Sequence, residues 1–171
     1  SKATTIPVVV SLGGFTKEKH VEKEKRHDMY ARVAEGLAKL NQDGVTILPQ
    51  TLPPLPWYFG GQLYCNLFVE AEDTAQFCQK YDYQVCLDVS HSKLSCNFYK
   101  SSFDEFVRLI APHTGHLHIV DAIGESGEGI QINEGDVDFP AFSKIIKQLI
   151  PKVSFIPEIW QGHKNEGEGF W

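Results

Sequence analysis

The chain has 171 residues, which is enough for one domain with a buried hydrophobic core. Its 16 Lys and Arg against 22 Asp and Glu give a net charge of −6, which argues against nucleic acid as a partner because phosphate binding needs a basic surface. No apolar run approaches the roughly 18 residues that a membrane-spanning helix needs. We therefore expect a globular protein that binds neither nucleic acid nor membranes.

The first half of the chain predicts two strands, one long helix and one long loop. Residues 6–12 form a β-branched strand, and a helix capped by Thr16 continues to about Leu40 with its charged residues in solvent. A second strand over residues 45–48 leads into residues 51–69, which are rich in Pro, Gly and aromatic side chains. Loops beyond about 12 residues are usually functional or disordered, and aromatic residues argue against disorder. We therefore expect a lid or a pocket wall here.

The second half continues the alternation of helices and strands. The predicted elements are helices over 71–81 and 102–110 and from Asp138 onwards, strands over 84–89, 115–120 and 153–159, and a Gly-rich acidic loop over 124–135. Ser102 and Glu105 have the spacing of a capping box. Because no hairpin signals interrupt the alternation, this order predicts an α/β fold with a parallel sheet and helical crossovers.

Five parallel strands are compatible with two architectures. They could form an open doubly wound sheet, or they could be the last five strands of a (β/α)8 TIM barrel, which normally needs about 250 residues. In either case the side chains that carry chemistry lie at the carboxyl ends of the strands.

The cysteines Cys65, Cys78, Cys86 and Cys96 include no C-x-x-C pair. Their spacing lacks the pattern of a zinc site, and no signal peptide opens the chain. We therefore expect reduced, partly buried thiols in a cytoplasmic protein.

Every predicted strand after the first ends in a polar or ionisable residue. These residues are Gln50, Asp88, His118 and Glu158, and His116 lies two positions before His118. Because side chains alternate between the faces of a strand, the four terminal groups can point the same way, into a barrel mouth.

An Asp, a His and a Glu at one point suit a divalent metal such as Mn²⁺, Mg²⁺, Co²⁺ or Zn²⁺. We predict that Asp88, His118 and Glu158 are the metal ligands, with the carbonyl oxygen of Gln50 as a neutral addition. His91 lies three residues after Asp88, where it could orient a substrate oxygen or bind a second metal.

Several segments resemble the xylose-isomerase-like TIM-barrel superfamily, which includes sugar isomerases, ketose 3-epimerases and the endonuclease IV group. The segments are VVVSLGG (8–14), GVTILPQT (44–51), LDVSH (87–91), HIVD (118–121), EGIQINEGDVDF (128–139) and FIPEIW (155–160). The resemblance implies a partial (β/α)8 barrel in which residues 1–171 supply about strands four to eight of one domain. The tail over 156–171 also resembles barrel domains that accompany sialic-acid-type sugar synthases.

The resemblance implies a site in which His91 and Glu158 are catalytic. It implies a metal-binding Asp88, His118 and Glu158, and it places Gln50 where relatives usually have a Glu that is both a ligand and an acid/base group. Ser11 stands where the endonuclease branch has a His, and the Asp-x-His pair of that branch is absent near residues 127–131. These departures argue against a three-zinc phosphodiesterase.

The substrate-binding residues expected at the mouth are Gln50, Trp57, His116, Trp160 and His163, and the aromatic residues at 57–59 would cover the apolar face of a sugar. The first hypothesis is therefore a metal-dependent sugar isomerase or epimerase that acts on a small sugar, sugar acid or sugar phosphate. The alternative is a non-catalytic or regulatory sugar-binding barrel of a larger carbohydrate-biosynthesis enzyme, because Gln50 removes one of two carboxylates. A Ser-His-Asp hydrolase built from Ser90, His91 and Asp88 is disfavoured, because the chain lacks a G-x-S-x-G elbow.

Five strands alone would leave two open edges. We therefore expect either an N-terminal segment that supplies the missing strands or a second copy of the chain that covers an edge in a homo-oligomer.

Overall fold

The protein is described by a computed structural model that covers residues 5–58, 61–164 and 166–167. The predicted pocket aromatic Phe59, the start of the chain and the last four residues of the predicted tail motif lie outside the described residues. The strands are β1 (Ile6–Val10), β2 (Val45–Pro49), β3 (Trp57–Tyr58), β4 (Gly61–Gln62), β5 (Val85–Asp88), β6 (Thr114–Ile119), β7 (Asp121–Ile123), β8 (Gly127–Ile130) and β9 (Ser154–Pro157). The α-helices are α1 (Lys23–Leu37), α2 (Ala71–Tyr81), α3 (Val89–Tyr99), α4 (Phe103–Ile110) and α5 (Phe139–Leu149).

Five strands run parallel, and their order in the sheet is their order in the sequence. They are β1, β2, β5, β6 and β9. β1 pairs with β2, and β5, β6 and β9 form a second group. A parallel bridge between Gln50 and Cys86 joins the two groups, supported by a hydrogen bond from the Thr51 amide to the Cys86 carbonyl. This order with helical crossovers is that of a partial TIM barrel, as predicted, and the described strands do not close into a ring.

Two helix starts agree with the predicted caps. The Ser102 hydroxyl accepts a hydrogen bond from the Glu105 amide, and the Asp138 carboxylate accepts one from the Ala141 amide. α2 spans the predicted residues, Ala71–Tyr81. Each of these helices is specified by a local feature of the sequence, either a cap or an apolar stripe, and the structure retains that feature.

The first helix begins later than predicted. Thr16 does not cap it, because Thr16 forms an antiparallel bridge with Tyr64 through two backbone hydrogen bonds of 3.0 and 2.9 Å. The Asn66 side chain also accepts a hydrogen bond from the Val21 amide and donates one to the Gly14 carbonyl. These tertiary contacts hold the charged segment in an irregular path up to the start of α1.

The prediction of uninterrupted alternation was wrong at three places. A helix that the sequence analysis missed, α3, starts directly after β5, because the Asp88 carboxylate accepts a hydrogen bond from the His91 amide and caps it. The long loop after β2 contains the short hairpin β3–β4, and the Gly-rich loop forms the hairpin β7–β8. Alternating Ser, His and Lys give α3 no apolar stripe, and the hairpins contain few β-branched residues, so none of the three has a periodic signal.

The main hydrophobic core lies between the sheet and the helices. Val85, Leu87 and Leu117 of β5 and β6 belong to this cluster, together with an aromatic group on α1 and α2 that includes Tyr30 and Phe77. The residues that alternate with them in the strands, including Cys86 and Asp88, are outside this cluster although they are buried. The polar strand-end residues therefore lie on the face away from the helices, as the period of two predicts.

All four cysteines are buried and unpaired, more deeply than the predicted partial burial. Burial raises the pKa of the Cys65 and Cys78 thiols to about 12 and raises the pKa of Cys86 and Cys96 above the usual range.

We therefore expect the thiols of the native protein to resist an aromatic disulfide reagent at about pH 8, because the thiolate is the reactive form and the sulfurs are shielded. The absorbance released on mixing measures this, and all four thiols should react once denaturant unfolds the chain. Fast reaction of the native protein would contradict the described burial.

The two outer strands of the sheet expose apolar side chains. Ile6 and Val8 of β1 and Phe155 and Ile156 of β9 are exposed, and each outer strand has one strand neighbour among the described residues. An additional segment or a second copy that covers these edges stays a prediction. Among the described helices, none is long and apolar enough to cross a membrane.

Candidate active site

Three side chains predicted as metal ligands meet at the carboxyl ends of neighbouring strands. Asp88 ends β5, its register partner His118 lies near the end of β6, and Glu158 directly follows β9. One potential ligand atom from each residue lies within 4.8 Å of the other two. Asp88 and His118 are buried, whereas the Glu158 side chain is 52% exposed. The group therefore has a protein-facing side and an open side.

The two carboxylate oxygens of Asp88 make different contacts, one with the start of α3 and one with the histidines of the site. Its Oδ1 atom accepts the 2.9 Å hydrogen bond from the His91 amide at the start of α3. Its Oδ2 atom lies 3.3 Å from His91 Nδ1 and 3.5 Å from His118 Nδ1. Burial alone would raise the pKa of Asp88, but the two histidines outweigh it and hold the pKa below its usual value. Asp88 is therefore a carboxylate held between positive or polar groups.

The Nδ1 atom of His118 is a buried polar atom without a hydrogen-bond partner among the described residues. It lies 2.6 Å from a Glu158 oxygen, but the geometry of this contact is not that of a hydrogen bond. Burial alone would lower the pKa of His118, but contacts with Asp88, Cys86 and Glu158 raise it to about 12. A nitrogen aimed between two carboxylates is a place that attracts positive charge, either a proton or a metal cation.

His91 is oriented by the loop that follows β2. Its Nδ1 atom donates a 2.9 Å hydrogen bond to the Thr51 carbonyl, so the Nε2 atom is left to face the mouth. Nε2 lies 3.5 Å from a carboxylate oxygen of Glu128. Burial alone would lower the pKa of His91, but Asp88 and Glu128 outweigh it and raise the pKa to about 9. Among the described residues the Ser90 hydroxyl has no hydrogen bond to the His91 ring, which contacts Thr51 and Glu128, and it accepts one from the Gly129 amide.

Gln50 and Ser11 form a pair at the carboxyl ends of β2 and β1. The Gln50 side-chain amide donates a 2.8 Å hydrogen bond to the Ser11 hydroxyl. This contact uses the nitrogen end of the amide, so the carbonyl oxygen is the atom that Gln50 can offer to a ligand.

His116 lies beneath His118 on the same face of β6. Its ring meets the His118 ring edge to face, and its Nδ1 atom is 2.7 Å from the Ser154 hydroxyl. Burial, with the nearby His118, lowers the pKa of His116. His116 is therefore placed to support His118, and its direct contact with a sugar stays a prediction.

The fold and the strand-end geometry agree with the comparison to known proteins. A family model described as a xylose isomerase-like TIM barrel matches residues 1–170. The chain belongs to this family. The predicted resemblance is thereby confirmed, whereas the association with sialic-acid-type sugar synthases stays a prediction.

Several solved structures share the fold of this chain. A D-tagatose 3-epimerase-like protein superposes with a TM-score of 0.65 at 16% identity, covering 96% of this chain and 59% of that one. An L-ribulose 3-epimerase has a TM-score of 0.65 at 14% identity, with coverages of 96% and 52%. The probable 3-DHS dehydratase AsbF from Bacillus anthracis has a TM-score of 0.61 at 15% identity, with coverages of 96% and 60%.

Because all three sequence identities are low, these similarities support the fold of the chain and not its activity. The chain spans between 52% and 60% of the length of these three proteins. Among curated proteins, none matches the chain significantly.

Three residues that were predicted to bind the substrate have exposed side chains. Trp57 is in the short hairpin strand β3, Trp160 follows Glu158 by two residues, and His163 lies in the turn beyond it. Within the described part of the chain, none of their side chains is hydrogen-bonded or ion-paired to the Asp88 cluster. Their contact with a sugar stays a prediction.

The sequence analysis missed Glu128 and Asp121. Glu128 lies on β8 and reaches His91, and the buried Asp121 carboxylate holds the segment that follows β8. Asp121 accepts hydrogen bonds from the backbone amides of Ala122, Asn133, Gly135 and Val137. The run of Gly and acidic residues predicts a loop, but it does not indicate which of the carboxylates contacts His91.

Proposed function

We propose that this barrel binds a divalent metal through Asp88, His118 and Glu158 and isomerises or epimerises a small sugar. The observation that supports the metal is the buried Nδ1 atom of His118, which has no hydrogen-bond partner among the described residues and faces two carboxylates. One imidazole and two carboxylates form a donor set that Mn²⁺, Co²⁺, Zn²⁺ or, less tightly, Mg²⁺ accepts.

The open side of the site is suited to a polyhydroxylated ligand. Asp88, His118 and Glu158 would hold the metal, which would supply the positive charge that polarises a sugar carbonyl. Glu158, the exposed member of the cluster, moves the proton on the carbon next to that carbonyl. His91 holds a sugar hydroxyl with Nε2, since Nδ1 is committed to Thr51.

Gln50 keeps a second candidate function open, a non-catalytic sugar-binding barrel. Two-carboxylate epimerisation needs an acid/base group on each face of the substrate, and the amide of Gln50 is not a base. Its hydrogen bond to Ser11 favours a polar binding role at this position.

Hydrogen exchange in D₂O distinguishes the two functions. The full-length protein is loaded with Mn²⁺ and incubated with a panel of ketoses and ketose phosphates, and deuterium at the carbon next to the carbonyl is followed by NMR. An isomerase or epimerase exchanges this hydrogen and stops when a chelator removes the metal. Saturable sugar binding without any exchange would instead support the binding barrel.

The substitution Gln50→Glu is expected to tighten metal binding, because it adds a negative charge at a strand end beside the cluster. Calorimetric titration with Mn²⁺ measures the change, which we expect to be about tenfold, the size of one additional weak ionic contact. Ser11→Ala is the matched control, since it removes the partner of Gln50 without adding charge. Weaker binding by Gln50→Glu would show that the amide serves another task.

A further inference from the structure

We infer that Glu128 is the second proton-transferring carboxylate of the site, in the role that Gln50 cannot fill. This inference rests on the proposed isomerase or epimerase function. The ionisable side chains at the mouth form a series of pairwise contacts. Glu158 contacts His118, His118 contacts Asp88, Asp88 contacts His91, and His91 contacts Glu128.

The two exposed carboxylates lie at opposite ends of this row. Glu158 is 52% exposed and Glu128 is 48% exposed, whereas Asp88 between them is buried. A sugar seated over Asp88 would therefore meet one accessible carboxylate on the His118 side and another on the His91 side.

The backbone around Glu128 is attached to both sides of the mouth. The amide of the next residue, Gly129, donates to the Ser90 hydroxyl beside His91, and its carbonyl accepts a 2.9 Å hydrogen bond from the Trp160 amide. Gly129 has a φ of +75°, and a Cβ atom there would lie 2.8 Å from the Trp160 Cβ. The strand β8 thus bridges the chain segments that carry His91 and Glu158, and this placement requires glycine.

The proton balance of an epimerisation is complete with these two groups. The Glu158 carboxylate takes the proton from the carbon next to the carbonyl. The electron pair of the broken C–H bond forms a C=C bond, and the π electrons of the carbonyl move to its oxygen to give an enediolate. In the return step the carboxylic acid form of Glu128 gives its proton to the opposite face of the same carbon as the carbonyl re-forms. Glu158 ends protonated and Glu128 ionised, and solvent restores both groups. The reverse epimerisation exchanges the two roles.

The test compares Glu128→Gln, Glu128→Asp and the control Glu125→Gln in the full-length protein loaded with Mn²⁺. Glu125 lies on the same hairpin with the same 48% exposure, but it pairs with Lys100 on the outside. The substrate is a ketose that the wild-type protein exchanges in D₂O. Epimerisation, deuterium uptake without inversion and Mn²⁺ affinity are measured for each variant.

Glu128→Gln should lower epimerisation by about 100-fold or more, the usual contribution of a positioned acid or base. Deuterium uptake with retained configuration should continue through Glu158, and Mn²⁺ affinity should stay within about threefold of wild type. Glu128→Asp should recover part of the epimerisation, and Glu125→Gln should match wild type.

Three results would overturn the inference. Epimerisation by Glu128→Gln at the wild-type rate would show that another group supplies the second proton. Parallel loss of uptake, epimerisation and Mn²⁺ affinity would show that Glu128 only supports the fold of the site. A wild-type protein that exchanges no ketose hydrogen overturns the proposed function and this inference with it.

Discussion

Simultaneous replacement of Asp88 and Glu158 by alanine is expected to abolish metal binding. The double variant removes both carboxylates that face His118 Nδ1 and leaves one neutral imidazole as a ligand. Loss of groups outside the ligand sphere typically costs about 10- to 100-fold in affinity, so loss of two ligands should exceed about 100-fold. Metal content after dialysis, measured by mass spectrometry, checks the result.

Asp138→Ala is the matched control for this variant. Asp138 caps α5 as Asp88 caps α3, so both substitutions remove a helix cap, which costs roughly 1 kcal/mol of stability. Asp138 is exposed and remote in sequence from the cluster, so its replacement should leave the metal content unchanged. Unchanged metal content in the Asp88 and Glu158 double variant would rule out these residues as ligands.

Asp121→Asn is expected to destabilise the protein by about 3 kcal/mol, because it damages a buried carboxylate that accepts four backbone hydrogen bonds. The asparagine retains one acceptor oxygen but turns an NH₂ group towards amide donors. For a chain of this size the loss corresponds to a melting-temperature decrease of roughly 6–12 °C. Calorimetric unfolding measures it.

Asp136→Asn provides the comparison for Asp121→Asn. Asp136 belongs to the same loop and accepts hydrogen bonds from the Gly124 amide and the Asn97 side chain, but it is exposed. Water can replace its contacts, so the same substitution should cost less than about 1 kcal/mol. Equal effects of the two substitutions would show that the burial of Asp121 adds nothing to the contribution of its hydrogen bonds.

The sequence predicts the strand ends of the barrel because their signals are local. Apolar runs of period two place Asp88 and His118 on one face, and the structure brings these residues together with Glu158. The helices with caps or apolar stripes, α2, α4 and α5, are predicted within a few residues for the same reason.

The parts that sequence reasoning missed depend on contacts between distant residues. Thr16 is an ordinary cap residue until Tyr64 pairs with it, and α3 depends on the cap that Asp88 provides. Glu128 is one of several acidic residues in a Gly-rich run, and its contact with His91 accompanies the pairing of β7 with β8 and the hydrogen bond from the Gly129 amide to Ser90. Periodicity contains no information about such contacts.

Anomalous diffraction from crystals of the full-length protein grown with Mn²⁺ would locate a metal bound at the strand ends. We expect an anomalous peak in contact with Asp88 Oδ2, His118 Nδ1 and a Glu158 carboxylate oxygen, the atoms that already converge. The peak should disappear in the Asp88 and Glu158 double variant. The absence of a peak at this cluster, with His118 Nδ1 hydrogen-bonded to Glu158 instead, would contradict a metal centre here.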